Sequence, residues 1–128
     1  MSEKKNSQDG ELIVRTLAMP SDTNPDGDIF GGWLLSQMDI AGGIFSKKLV
    51  KGRTVTVAVE SMNFHKPVFV GDVLCCYAKL IKIGKTSIRV KVEAWTIRAY
   101  QDERIKVTEG EFIYVAIDEN RAPKQVGK

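Results

Sequence analysis

A chain of 128 residues is the size of one domain, large enough to bury roughly two-thirds of its unfolded surface. Its 43% hydrophobic and 27% charged residues make an ordinary soluble globular composition. The formal net charge of +3 suits an anionic small ligand but falls short of the concentrated basic footprint of a nucleic-acid binder.

The first ten residues are polar (Lys4, Lys5, Asn6, Gln8, Asp9) and lack the apolar stretch of a secretory signal. We expect a disordered lead-in over residues 1–10 and a cytoplasmic protein. No apolar run approaches the roughly 20 residues that span a bilayer, so no membrane insertion is expected. Glu11 to Ala18 reads as a short strand ending at Pro20, and Ser21 to Asp28 as a turn-rich loop. From Ile29 to about Val50 the pattern is helical. Leu34, Met38, Ala41, Phe45 and Leu49 fall on one face at three- and four-residue spacing. Trp33, Ile40 and Ile44 form a second apolar face, so the helix is apolar nearly all round.

After Gly52 the period becomes two. Val55, Val57 and Val59 alternate with Thr54, Thr56 and Ala58. Asp72 to Ile83 and Thr86 to Ile97 read as long strands joined at Gly84-Lys85, a hairpin signal. Ile88, Val90, Val92 and Ala94 alternate with Ser87, Arg89, Lys91 and Glu93, which predicts one buried and one wet face. Lys106 to Asp118 is a last strand, and residues 120–128 form a polar tail. There is no repeat and no linker, which makes residues 11–119 a single domain.

Adjacent strand residues point to opposite faces, so Cys75 and Cys76 can neither bridge each other nor hold one metal; they read as small buried hydrophobes. With His65 the only histidine, no Cys/His metal site is expected. One strand, one long helix and four or more antiparallel strands compose a hotdog-like α+β architecture, a single sheet wrapped on one helix. A monomer would leave the second apolar helix face wet, so we expect at least a dimer.

Several separated segments then resemble one family. They are Leu17-Ala18-Met19-Pro20-Ser21-Asp22-Thr23-Asn24, Gly27-Asp28-Ile29-Phe30-Gly31-Gly32, Gln37-Met38-Asp39 and Val59-Glu60-Ser61-Met62-Asn63-Phe64. Together, over most of Leu12 to Asp118, they resemble the hotdog-fold acyl-CoA thioesterases, in particular the bacterial YciA-type enzymes. The resemblance implies hydrolysis of acyl-CoA to coenzyme A and free acid by dimers often assembled into hexamers. Coenzyme A would be part of the substrate and product, and no cofactor is needed. Asn24 and Asp39 match the family's catalytic amide and carboxylate, the amide facing the aspartate of the partner subunit.

The chemistry is consistent with these residues. Thioester hydrolysis needs an activated water or a nucleophile, and stabilisation of the carbonyl oxygen as it becomes an oxyanion. Asp39 projects from the helix beside Gly42 and Gly43, which leave open space, and an apolar surround suits a carboxylate to act as a base or nucleophile. Asn24 alone would more often be a turn or cap residue. Gly31 and Gly32 offer N–H groups at the helix start for an oxyanion, or else merely permit close packing. Gly84, Lys85, Thr86, Ser87 and Arg89 combine N–H, hydroxyl and cationic groups that could meet coenzyme A phosphates. Lys47, Lys48, Lys51 and Arg53 are a further basic group after the helix, though most such lysines are only solvated. Ser61, Met62, Asn63, Phe64 and Lys66 could line the pantetheine arm. His65 lacks a Gly-x-Ser-x-Gly partner for a nucleophilic triad and reads as a rim or surface residue. Two alternatives stay open: a silent acyl-CoA-binding or regulatory hotdog domain, and another hotdog acyl-thioester enzyme such as a dehydratase. The second commonly needs a histidine with its acid, and this helix has none.

Overall fold

The computed structural model describes residues 10–127. Five strands, β1 (Glu11–Leu17), β2 (Arg53–Phe64), β3 (Val73–Ile83), β4 (Ser87–Ile97) and β5 (Arg104–Ile117), surround one helix, α1 (Gly31–Val50). All pairings are antiparallel, in the order β1-β3-β4-β5-β2, so β1 and β2 are the sheet edges. The helix touches every strand, and the single sheet wrapped on it is a hotdog fold.

The core follows the alternation in β4. Ile88, Val90, Val92 and Ala94 are fully buried, facing Leu34, Met38 and Ala41 of α1 together with Leu74, Cys76, Phe112 and Tyr114. Each of the Ile, Val, Leu, Met and Phe side chains contributes roughly 1.5–3 kcal/mol relative to exposure. The opposite face is not simply wet. Glu93 is 2% exposed, accepts a hydrogen bond from Trp95 Nε1 (2.8 Å) and pairs with Lys91 and Lys106. A small cluster of Cys75, Tyr77 and Trp95 shields it there, with Arg104 over both rings. The two cysteines thus serve opposite faces, and burial pushes the Cys76 thiol up to about 12, with Cys75 adding to the shift.

Element boundaries depart from periodicity where local bonds intervene. The helix begins at Gly31, two residues after the predicted start, because Ile29 is still held extended: it bridges Thr23 and its N–H donates to Val68 O (3.3 Å). A short 3-10 turn, Pro20–Asp22, interrupts the loop. The helix stops at Lys51, which takes a left-handed conformation (φ 57°), and the N–H groups of Lys51 and Gly52 both return to Lys47 O. Lys47 and Lys48 in the last turn suit the negative end of the dipole. The valines of β2 do not form one buried row, because the register slips between Thr56 and Ala58. Val57 is 55% and Val59 40% exposed, as are helix residues Ile40 and Ile44 at 49% and 47%. Ile40 and Ile44 of the second helix face and the free edge of β2 are therefore uncovered in one chain; Trp33, read on that face, packs half-buried on the core, and Leu49, read on the core face, is exposed. The polar tail folds back: Pro123 bridges Ile117, and Val126 donates to Lys85 O (2.8 Å).

Candidate active site

Asp39 lies in the third turn of α1, half-buried, over the row that joins Thr56 of β2 to Tyr114 of β5. Its surround is not the apolar enclosure that the helix pattern predicts. Thr56 Oγ1 donates to Asp39 Oδ1 at 2.8 Å, and the Tyr114 hydroxyl lies 3.0 Å from the same Oδ1 and 3.0 Å from the main-chain O of Asp39. No described residue donates to Oδ2. The open space predicted beside Gly42 is also filled, because a Cβ there would stand 2.2 Å from the Tyr114 hydroxyl. β5 turns Phe112, Tyr114 and Ala116 inward, and a buried tyrosine hydroxyl needs a partner; the bare helix backbone at Gly42 lets it reach one. Burial, and next the Asp39 charge, push the Tyr114 phenol well above its ordinary range, so it stays a donor.

Asn24 is both a turn former and an oriented amide. Its Oδ1 accepts from the N–H groups of Asp26 (2.9 Å) and Asp28 (3.1 Å), while its own N–H donates to Asp28 O (2.7 Å). With Oδ1 committed to the loop, Nδ2 is the amide's remaining polar atom, and no described residue accepts from it. The helix start is equally unclaimed. Phe30 provides no side-chain cap, and the first bond into the helix comes from Leu34 N. A Cβ on Gly32 would meet nothing within 4 Å and one on Gly31 only the Phe64 ring at 3.8 Å, so close packing does not explain these glycines. Asp39 lies eight residues beyond Gly31, about 12 Å along the axis. Among the described residues no hydrogen bond within one chain joins Asn24 to Asp39, whose partners are Thr56 and Tyr114.

The predicted binding residues divide in two. Ser61 to Phe64 end β2 near the helix start, beyond a bulge where Ser61 has φ 55°; Asn63 O accepts the Thr108 hydroxyl, and Met62 is half-buried against it. Lys66 is exposed and donates its N–H to Val107 O (3.3 Å). Gly84, Lys85, Thr86 and Ser87 form the turn at the other end of the sheet. Ser87 shares a row with Val115 and Val55, whereas Glu93 shares one with Glu109 and Asn63. Six residues of β4 separate those rows, about 20 Å, so the two groups are no single site within one chain. The hairpin turn does border a recess of about 200 Å³ lined by Lys82, Gly84, Ser87, Arg89 and Ile113. Arg89 is not a free phosphate ligand, however. It bridges Glu60 and Glu111 at 2.8 Å each on the outer face. His65 is exposed, with its N–H on Val107 O. Among the described residues no group of His, Cys, Asp and Glu could hold a metal ion.

Residues 26–99 match the family model of the thioesterase superfamily. The chain belongs to that superfamily. It is 53% identical to the acyl-CoA thioester hydrolase YciA of Salmonella typhimurium over 127 residues, spanning 97% of this chain and 96% of that one. The hexameric thioesterase y2039 of Yersinia pestis superposes with a TM-score of 0.92 at 50% identity, covering 95% of this chain and 100% of the other. The acyl-CoA hydrolase of Staphylococcus aureus, solved with butyryl coenzyme A and coenzyme A, gives 0.82 at 27% identity, covering 88% and 69%. Sequence reading misses two groups in this thioesterase, Thr56 and Tyr114. Thr56 looks like an ordinary strand residue. For Tyr114 a signal exists: it falls on the inward phase of β5, and such a tyrosine must face a polar atom of the helix.

Proposed function

We propose that this chain is an acyl-CoA thioesterase, hydrolysing acyl-CoA to coenzyme A and a free carboxylic acid, with Asp39 as the reacting carboxylate. The observation that carries the reading is the asymmetry of that carboxylate: Oδ1 is held by Thr56 and Tyr114, while no described residue donates to Oδ2, the oxygen left for a water or a carbonyl. Relatives named acyl-CoA thioester hydrolases, alike over nearly their whole length, support the substrate class. The Staphylococcus aureus hydrolase supports the residues. It has been solved with an aspartate changed to alanine and, with coenzyme A bound, with an asparagine changed to alanine. Those two positions are fifteen residues apart, the interval between Asn24 and Asp39 here.

Asp39 Oδ2 takes a proton from water, the oxygen adds to the thioester carbon, and the carbonyl oxygen becomes an oxyanion. Asn24 Nδ2 and the N–H groups of Gly31 and Gly32, at the positive end of α1, meet that charge. Collapse expels the thiolate, which recovers the proton from Asp39. No cofactor enters. The family resemblance implies that the site forms where one subunit's Asn24 loop meets the partner's helix, and the lack of any hydrogen bond between Asn24 and Asp39 within a chain supports it. The free β2 edge, Val57, Val59, Ile40 and Ile44 supply the surface for that dimer. The hexameric state of solved relatives supports a higher assembly of such dimers. Ser61 to Phe64 and Lys66, beside the helix start, would line the pantetheine arm; Gly84 to Ser87 of a different subunit are the remaining phosphate candidates.

Free-thiol release from a panel of short- to long-chain acyl-CoAs tests this, with Asp39→Asn alongside. A kcat about 10² or more below wild type, with coenzyme A still bound, is the expected result for loss of a general base. Wild-type turnover in the variant would sink the mechanism. No turnover of any chain length by the wild type would favour a silent binding domain.

A further inference from the structure

We propose that Tyr114 is a positioning residue of the reaction, holding one oxygen of Asp39 so that only the other can react, and that Gly42 exists to admit its hydroxyl. The inference rests on Asp39 being the reacting carboxylate. It goes beyond that reading by assigning work to a residue that touches no substrate.

The geometry distinguishes the two oxygens. Oδ1 receives Thr56 Oγ1 at 2.8 Å and the Tyr114 hydroxyl at 3.0 Å, which uses its in-plane lone pairs. The same phenol lies 3.0 Å from the main-chain O of Asp39 and so gauges the side chain against its own backbone. The phenol's one proton is shared between these two oxygens, and the two hydroxyls gathered on Oδ1 oppose rotation of the carboxylate. Rotation about the Cβ–Cγ bond is otherwise soft and roughly two-fold, and would exchange the oxygens. Tyr114 is itself rigid. It is 1% exposed, it lies on β5 between β4 and β2, and its ring is stacked with Phe112 at 6.5 Å between centroids. Its burial keeps the phenol protonated, so the donor persists over the whole working pH range of a carboxylate base. Gly42 completes the device. Any side chain there would occupy the position of the hydroxyl, 2.2 Å from a Cβ. Gly43 shows no such need, since its Cβ would meet nothing closer than 3.9 Å.

The test is a double-mutant cycle on the full-length assembled enzyme with one acyl-CoA substrate. Tyr114→Phe keeps the ring and its packing, and elution volume and melting check the assembly. We expect kcat about tenfold lower with KM within about twofold, as for losing one hydrogen bond to a charged group. In an Asp39→Asn background the same substitution should change the residual rate by less than about twofold, because there is no reacting carboxylate left to orient. Gly42→Ala, which keeps the phenol but displaces it, should lower kcat in the same way. Wild-type kcat in Tyr114→Phe, with Asp39→Asn still impaired, overturns the positioning role and leaves the reading of Asp39 intact. An equal loss in both backgrounds also overturns it, since it marks a structural effect that does not pass through Asp39. Wild-type turnover in Asp39→Asn removes the premise and the proposal together.

Discussion

Two neighbouring glycines of α1 should respond in opposite directions to the same methyl group. At Gly42 an added Cβ would lie 2.2 Å from the Tyr114 hydroxyl oxygen, 2.9 Å from Cζ and 3.0 Å from Cε1. Ordinary contact between such atoms begins near 3.5 Å, so helix and sheet must part by about 1 Å or the ring must tilt. A tilt is costly because Phe112 stacks against the ring and β4 and β2 flank its strand. Overpacking of this kind costs about 1–3 kcal/mol, and disturbing the bonds to Asp39 adds about 1 kcal/mol. Against this stands a gain of about 0.5–1 kcal/mol from replacing glycine by alanine within a helix. Gly42→Ala should therefore be destabilised by about 2 kcal/mol, a fall in Tm of about 5–10 °C. Gly43→Ala, with Lys47 Nζ at 3.9 Å and Tyr114 Cε2 at 4.0 Å, should instead gain about 0.5–1 kcal/mol. Urea unfolding and melting at one fixed protein concentration measure both, since assembly makes Tm concentration-dependent. A Gly42→Ala protein as stable as wild type would refute the account of the Tyr114 contact. An equal loss at Gly43 would refute the single-chain account of that position and point to a second subunit against the helix.

Subunit mixing tests whether the site is shared. Asn24→Ala and Asp39→Asn subunits, each nearly inactive alone, should recover about a quarter of wild-type activity after random reassortment, because half the dimers are hybrids with one intact site. Absence of recovery, with hybrids detected by native mass spectrometry, would mean that both residues must come from one chain. The thiols offer an independent check of the two-faced packing: Cys75 and Cys76 are 1% and 0% exposed, and burial holds the Cys76 thiol near 12. A thiol reagent at pH 8 should titrate neither cysteine until denaturant is added, whereas fast native labelling would contradict that burial.

The sequence alone determined the element order, the helix with two apolar faces, the buried row of β4 and the two residues proposed for chemistry, Asn24 and Asp39. These are local properties: a period of 3.6 or 2, turn formers at a loop, and runs of residues in a recognisable order. Of the second face of α1 read from spacing, Ile40 and Ile44 are exposed, whereas Trp33 is half-buried against the core. What surrounds Asp39 was decided only by tertiary structure. The residues nearest its carboxylate come from β2 and β5, Tyr114 lying seventy-five positions away, and no helical spacing indicates that a phenol fills the gap at Gly42. Arg89 illustrates the same limit. Its charge reads as free along the chain, yet register on the sheet sets Glu60 and Glu111 beside it. Likewise, only the pairing of strands puts the hairpin turn and the end of β2 at opposite ends of the sheet. Periodicity reports which side of an element is buried; it carries no information about which distant polar group arrives there, because that depends on how the chain closes on itself.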